Sequence, residues 1–239
     1  MNTASNIEEL SKRFKQSKTL TTADIDTFYR ATEPDISKST INWRIYSLVK
    51  QGVIQRTGNG VYCLGETKPF IPQINPEMKK SAEIIGMEFP DIAYCMWQLS
   101  DINLFSRHLI NLNIVLVDVE RIVADAVYYR LKESFPKVML MRNMYADISE
   151  FNDTVFVRPM ISDSPVQKKD GICLPMIEKI LVDIGFDKEF LPFQGYELER
   201  IYRSAFDGYT INRNKMLRYA GRKHKRAETE ELLKTVTRQ

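Results

Sequence analysis

The 239 residues allow one or two domains at the usual size of roughly 100–200 residues each. Hydrophobic residues make up 44% of the chain and aromatic residues 10%, which excludes wholesale disorder. No apolar run approaches the roughly 18 residues that a membrane helix needs, and the N-terminus has no signal-peptide pattern. We therefore expect a cytoplasmic protein with no membrane partner.

The net charge of +3 is unevenly distributed. Residues 1–68 carry ten Lys and Arg against seven Asp and Glu, residues 69–204 carry 15 against 20, and residues 205–239 carry nine against four. Basic ends suggest nucleic acid as a partner, whereas the acidic middle fits ordinary solvated surface. The two histidines and three separated cysteines argue against a metal site or a catalytic triad, and we expect no cofactor.

Three short helices and a hairpin are predicted within residues 1–66. Apolar residues at helical spacing mark the helices: Ile7, Leu10 and Phe14; Ile25, Phe28 and Tyr29; Ile41, Ile45, Leu48 and Val49. Thr21 or Thr22 can cap the second helix, Ser37 can cap the third, and Gly52 can end it. Gly58–Gly60 then forms a turn between two strands. This order is typical of a winged helix-turn-helix.

The exposed side of the third helix has the chemistry of a DNA-recognition helix. Asn can bond bidentately to adenine, Lys and Ser reach phosphates or base edges, and arginines contact phosphates. The residues predicted to bind double-stranded DNA are Ser37, Lys38, Ser39, Asn42, Trp43, Arg44, Arg56, Asn59, Arg222 and Lys223. The alternatives are a three-helix module that binds protein and, for the basic tail, a solvated helical surface.

Residues 39–65, STINWRIYSLVKQGVIQRTGNGVYCLG, resemble the winged helix of the AbiEi-type antitoxins. The residues that carry the resemblance are Leu48, Val49, Lys50, Gly52, Ile54, Arg56, Gly60, Val61 and Tyr62. It implies a type IV antitoxin that represses its own operon and has a nucleotidyltransferase-like toxin as partner. The second half of the chain resembles the C-terminal domain of the same family more weakly. That resemblance implies that Pro175 begins a helix that carries Glu178 and Asp183.

Three prolines, Pro69, Pro72 and Pro76, mark residues 67–80 as a linker. Beyond it, apolar strand-like runs alternate with helical patterns, which predicts an α/β domain over residues 81–239 with a helical, basic tail. The predicted fold class of the whole chain is therefore α+β, with a winged helix-turn-helix followed by an α/β domain.

Two other functions remain open for the second domain. Asp91, Asp118 and Glu120 follow the order of a metal-dependent nuclease, whose carboxylates bind Mg²⁺, although Glu120 stands where that pattern has lysine. Acidic residues at strand ends are common, so we expect no catalytic site there. A transcriptional regulator that senses a small ligand in its second domain is the third hypothesis.

Overall fold

The computed structural model describes residues 3–14, 17, 19–65, 68–107, 109–141 and 151–237. The chain forms two compact units. The first unit comprises Met1–Pro69 and Tyr209–Asn214, and the second comprises Phe70–Gly208 and Lys215–Gln239. Both helices and strands occur in substantial numbers, which confirms the predicted α+β class.

The first unit combines three helices with a small antiparallel sheet. The helices are α1 (Thr3–Arg13), α2 (Thr22–Thr32) and α3 (Lys38–Lys50), and the strands are β1 (Leu20–Thr21), β2 (Ile54–Gly58) and β3 (Val61–Leu64). The sheet order is β1-β3-β2. Thr21 caps α2 in a reciprocal capping box with Asp24, and the Ser37 hydroxyl accepts a hydrogen bond from the Thr40 amide at the start of α3.

The hairpin β2–β3 turns at Gly60, which has a φ of 66°. A side chain there would be strained in this left-handed region, and a Cβ would lie 3.0 Å from Thr22 Oγ1. Gly52, with a φ of 72°, follows α3 as predicted. The spacing of Ile41, Ile45, Leu48 and Val49 predicts one buried stripe along α3. This prediction is wrong for Val49, which is 38% exposed, whereas the other three residues are buried.

The second unit contains a four-stranded sheet in the order β4-β5-β7-β6. Its strands are β4 (Tyr94–Gln98), β5 (Ile114–Glu120), β6 (Val138–Leu140) and β7 (Thr154–Met160). β5, β7 and β6 run parallel, and β4 pairs antiparallel with β5 at the edge. The carboxyl ends of the three parallel strands therefore lie at the same edge of the sheet.

Helices α4 (Pro76–Glu88) and α5 (Ala124–Lys132) pack on one face of this sheet, where Met78, Ile85, Val127 and Val117 share a core. The remaining elements are β8 (Val166–Lys169), β9 (Ile172–Pro175), α6 (Ile177–Phe186), α7 (Tyr196–Gly208), α8 (Arg213–Arg222) and α9 (Arg226–Thr237), with 3₁₀ helices at Leu99–Leu104, Arg121–Val123 and Lys188–Phe193.

The structure departs from the sequence predictions at two prolines. Pro76 begins α4, so the predicted linker 67–80 ends in helix. Pro175 ends β9 and does not open α6, whose N-cap is Met176, because the β8–β9 hairpin occupies the preceding residues. Within the described ranges, no helix combines the length and apolar character required to cross a membrane.

Candidate functional site

Charged side chains are buried together in the second unit, at the carboxyl ends of its parallel strands. This cluster consists of three cations and three carboxylates: Arg158, Lys179, Lys223, Asp118, Asp183 and Asp187. Exposure of these side chains ranges from 0% at Asp183 to 18% at Asp187. We call this set the ion-pair cluster.

Strand pairing and helix periodicity bring the cluster together. Asp118 on β5 lies directly opposite Arg158 on the parallel strand β7. Side chains alternate between the faces of a strand, so Asp118 lies opposite the core face that Val117 and Val119 occupy. Lys179 and Asp183 are four residues apart and share one side of α6, which is buried along nearly its whole length.

Short contacts connect every member of the cluster. Arg158 Nε donates to Asp118 Oδ1 at 2.6 Å, and Arg158 Nη2 donates to Asp183 Oδ2 at 3.0 Å. Lys179 Nζ donates to Asp118 Oδ2 and, at 2.6 Å, to Asp183 Oδ2. Lys223 Nζ reaches Asp183 Oδ1 at 2.7 Å and Asp187 Oδ1 at 2.5 Å. Since burying an ion costs several kcal/mol, these multiple contacts are needed to offset its desolvation.

The cluster separates the acidities of its two neighbouring carboxylates. Burial alone would raise the pKa of Asp183, but Lys179, Lys223 and Arg158 outweigh burial and hold this pKa far below its usual value. Burial and the negative charge of Asp183 raise the pKa of Asp187 to about 6, against the opposing effect of Lys223. Asp183 is therefore ionised at neutral pH, whereas Asp187 changes its protonation state at about pH 6.

A cavity of about 720 Å³ opens beside the ion-pair cluster. The residues that follow or end the parallel strands line it, together with residues from the helical segments: Asp118, Arg121, Met141, Arg158, Pro159, Met160, Ile161, Lys179, Phe186, Asp187, Lys188, Glu189, Tyr219 and Lys223. In open α/β sheets, ligands bind in the crevice outside the carboxyl ends of the strands. The cavity occupies that position.

In the first unit, α3 presents a polar and aromatic face to solvent. Lys38, Ser39 and Asn42 are exposed, and Trp43 and Tyr46 are 67% and 65% exposed. The sequence of α3 contains no Asp or Glu. We call this set of five residues the α3 face; it is the second candidate site.

Residues 40–239 match the model of DUF6577, which is described as a family of unknown function. The chain belongs to the DUF6577 family. The match begins inside α3 and includes the whole second unit, so the ion-pair cluster and its cavity lie entirely within the DUF6577 region. None of the curated proteins compared with this DUF6577 chain matches it.

The remaining residues predicted to bind DNA from the first unit have different surroundings. Ser37 accepts a hydrogen bond as the N-cap of α3. Arg44 forms a bidentate pair with Glu33 at 2.9 and 2.8 Å, so its guanidinium is engaged within the unit. Arg56 and Asn59 are exposed on the hairpin, where Arg56 lies over the Tyr62 ring.

The carboxylates of the nuclease alternative do not form a metal site in the DUF6577 chain. Asp118 is held by two cations, Glu120 accepts a hydrogen bond from the Ala93 amide at 2.8 Å, and Asp91 is exposed in a turn. Among the described residues, no group of three His, Cys, Asp or Glu side chains is placed to hold a metal ion. Here Asp118 serves as a partner of buried cations.

The predicted DNA contacts in the basic tail are also paired within the second unit. The Lys223 side chain is 11% exposed and contacts two carboxylates, so its ammonium is not available to a phosphate. Arg222 pairs with Asp163, although its side chain remains 52% exposed. These contacts connect the tail to carboxylates of the acidic middle segment, residues 69–204.

Four residues of the site were not selected from the sequence: Arg158, Lys179, Asp187 and Tyr219. A usable signal existed for the first two, since each is a charged residue inside an apolar run, TVFVRPM and IEKILVDIGF. Lys and Arg are almost never fully buried unless paired. Tyr219, whose hydroxyl donates to Asp183 Oδ1 at 2.8 Å, carried no such signal.

Proposed function

We propose that this DUF6577 protein binds duplex DNA through its first unit, which we interpret as a winged helix-turn-helix, and acts as a transcriptional regulator. The observation that carries the proposal is the α3 face. Its polar residues Lys38, Ser39 and Asn42 lie at the N-terminal end of α3, the end by which a recognition helix enters the major groove. The absence of acidic residues from α3 also favours contact with phosphates.

Each exposed group has a chemical role in this proposal. Asn42 is suited to a bidentate hydrogen bond with adenine, while Lys38 and Ser39 contact phosphates or base edges. Arg56 and Asn59 extend the interface through the β2–β3 hairpin, which serves as the wing. Arg44, paired with Glu33, positions α2 against α3 and is not assigned a DNA contact.

Binding-site selection from random duplexes, with the full-length protein, tests base recognition by Asn42. The wild type should enrich one motif, and Asn42→Ala should relax the preference at one base position by about 1–3 kcal/mol. Identical motifs for the two proteins would remove Asn42 from base readout. Failure of the folded wild type to bind duplex DNA at low salt would overturn the proposal.

Lys38 and Lys50 provide a matched pair for testing the orientation of α3. Both are exposed lysines of the same helix, and 12 residues at 1.5 Å each separate them by about 18 Å. Lys38→Ala should lower the salt slope of log K by about 0.9, whereas Lys50→Ala should leave it unchanged. The reverse result would mean that the other end of α3 approaches the DNA.

The narrower role of an AbiEi-like antitoxin is supported by the resemblance of residues 39–65. In that case the selected motif should lie upstream of the protein's own gene, and a neighbouring gene should encode a nucleotidyltransferase-like toxin. Co-expression of the two genes should relieve growth inhibition by the toxin. A folded protein that binds its own promoter but does not relieve the inhibition would support the regulator and exclude the antitoxin.

Exposed Trp43 and Tyr46 favour a second candidate, in which the α3 face binds another protein. Aromatic side chains are enriched at protein interfaces. Under this alternative, Trp43→Ala and Tyr46→Ala would abolish binding of a partner protein, while Lys38→Ala and Asn42→Ala would have little effect. The DNA proposal predicts the opposite order for binding to duplex DNA.

A further inference from the structure

The cavity of the second unit has an excess of positive charge along its wall. Five basic side chains line it against three acidic ones: Arg121, Arg158, Lys179, Lys188 and Lys223 against Asp118, Asp187 and Glu189. A fourth carboxylate, Asp183, lies behind the wall and contacts three of these cations, so the basic side chains exceed the acidic ones by one. The cavity also lies at the carboxyl ends of β5, β6 and β7, because Arg121, Met141 and Ile161 directly follow these three strands. Location and charge together favour an anionic ligand at this edge of the sheet.

Two arginines at the cavity retain unused donors. Arg158 is only 6% exposed, and its Nη1 atom is buried without a hydrogen-bond partner in the described part of the chain. A buried donor that lacks a partner is costly, so an acceptor atom from a bound molecule would stabilise this site. Arg121 is exposed beside the cavity, and the described residues include no ion-pair partner for it.

The remaining wall is partly apolar. Met141, Ile161 and Phe186 contribute to it. The volume of about 720 Å³ falls within the range of roughly 300–1,000 Å³ that is usual for small-molecule sites. A planar guanidinium recognises carboxylate and phosphate oxygens through paired N–H groups. The basic residues therefore favour a ligand that carries an anionic group, and the apolar residues can contact the uncharged part of that ligand.

We propose that this cavity binds a small organic anion, with one carboxylate or phosphate group that accepts hydrogen bonds from Arg158 Nη1 and the Arg121 guanidinium. The apolar body of the ligand contacts Met141, Ile161 and Phe186. The ion-pair cluster holds Arg158 in place through Asp118 and Asp183. This site does not depend on DNA binding by the first unit.

Isothermal titration of the full-length protein, without DNA, tests the site with three matched probes: phenyl phosphate, benzoate and neutral phenol. We expect at least one of the two anions to bind at millimolar or lower concentration and phenol to bind more weakly. Preference for phenyl phosphate would assign a phosphate ligand, and preference for benzoate a carboxylate. Failure of both anions to bind, or equal binding of phenol, would overturn the proposal.

Substitutions locate the binding. Arg121→Ala removes an exposed side chain, so it should leave the fold intact and weaken binding of the anion about tenfold or more. Ile161→Trp should fill the cavity and abolish binding. The matched control is Arg200→Ala, an exposed arginine on α7 outside the cavity, which should bind like the wild type. Equal affinity of all three variants, each shown by circular dichroism to be folded, would place the anion elsewhere and overturn the assignment.

Discussion

Lys179 is buried between carboxylates of two different elements, Asp118 on β5 and Asp183 one turn further along α6. Replacement by methionine would keep the aliphatic part of the side chain but leave two buried carboxylates short of a cation. We expect Lys179→Met to lower the free energy of unfolding by about 3–5 kcal/mol, as measured by urea denaturation. Lys168→Met, at an exposed lysine on β8, is the control and should change stability by less than about 0.5 kcal/mol.

A double substitution separates electrostatics from packing at Lys179. In an Asp118→Asn background, Lys179→Met deprives one carboxylate of its lysine partner where the single variant deprives two, so its cost should be smaller. Equal costs in the two backgrounds would show that lost packing, and not the ion pair with Asp118, accounts for the destabilisation.

At the scale of elements, four cations at the junction of α8 and α9 are paired with carboxylates. Arg222 contacts Asp163, Lys223 contacts Asp183 and Asp187, and the next two cations pair within their own segment, Lys225 with Glu228 and Arg226 with Glu230. The local sequence pattern predicted that this tail is helical, as it is in α8 and α9. Arg222 and Lys223, by contrast, pair with Asp163 and Asp183, which are 59 and 40 residues away in sequence, and helix periodicity does not reveal such partners.

We predict that replacing Arg222, Lys223, Lys225 and Arg226 with glutamine lowers thermal stability and leaves the salt slope of DNA binding unchanged. Lys223→Gln alone should account for most of the loss, about 3 kcal/mol, because the other three pairs are largely exposed and exposed pairs contribute little. Thermal unfolding and a salt titration measure the two effects. A decrease of the slope by about 0.9 per lost contact would instead return the tail to the DNA interface.

At the scale of the whole molecule, buried carboxylates of the second unit act on stability in opposite directions. The pKa of Asp183 is lowered, so its contribution is present above the unfolded value of 3.8 and is lost as the pH falls further. Burial raises the pKa of Asp101 to about 6, so the folded state resists its ionisation. Stability should therefore rise up to about pH 4 and, through Asp101, fall between about pH 4 and pH 6.

Asp101→Asn isolates the second effect. Asp101 is 3% exposed and accepts a hydrogen bond from the Gln73 amide at 3.1 Å, which the asparagine oxygen can still accept. Relative to this variant, the wild type should lose roughly 2 kcal/mol of stability between pH 4 and pH 6.5, at 1.36 kcal/mol per pKa unit. Urea denaturation at both pH values provides the comparison, and parallel changes in the two proteins would show that Asp101 is not perturbed.

The sequence by itself determined the local structure of this protein. Thr21 and Ser37 cap α2 and α3, Gly52 follows α3, and the β2–β3 hairpin turns at Gly60, all as predicted. These features involve residues only a few positions apart, so the chemistry of each segment specifies them. The alternation of apolar runs with helical patterns also predicted an α/β layer in the second unit. The start of α4 was wrongly assigned to the linker, and the β8–β9 hairpin was missed.

Only the tertiary structure decided which charges would meet. The apolar runs around Arg158 and Lys179 indicate that these cations are buried but do not reveal their partners, and the carboxylate pattern around Asp118 even suggested a metal site. Their partnership depends on the parallel register of β5 with β7 and on the face of the sheet that α6 covers. Periodicity describes one element at a time and contains no information about register between distant strands. The cavity exists for the same reason, since residues from β5, β6 and β7 become neighbours only at the common edge of the folded sheet.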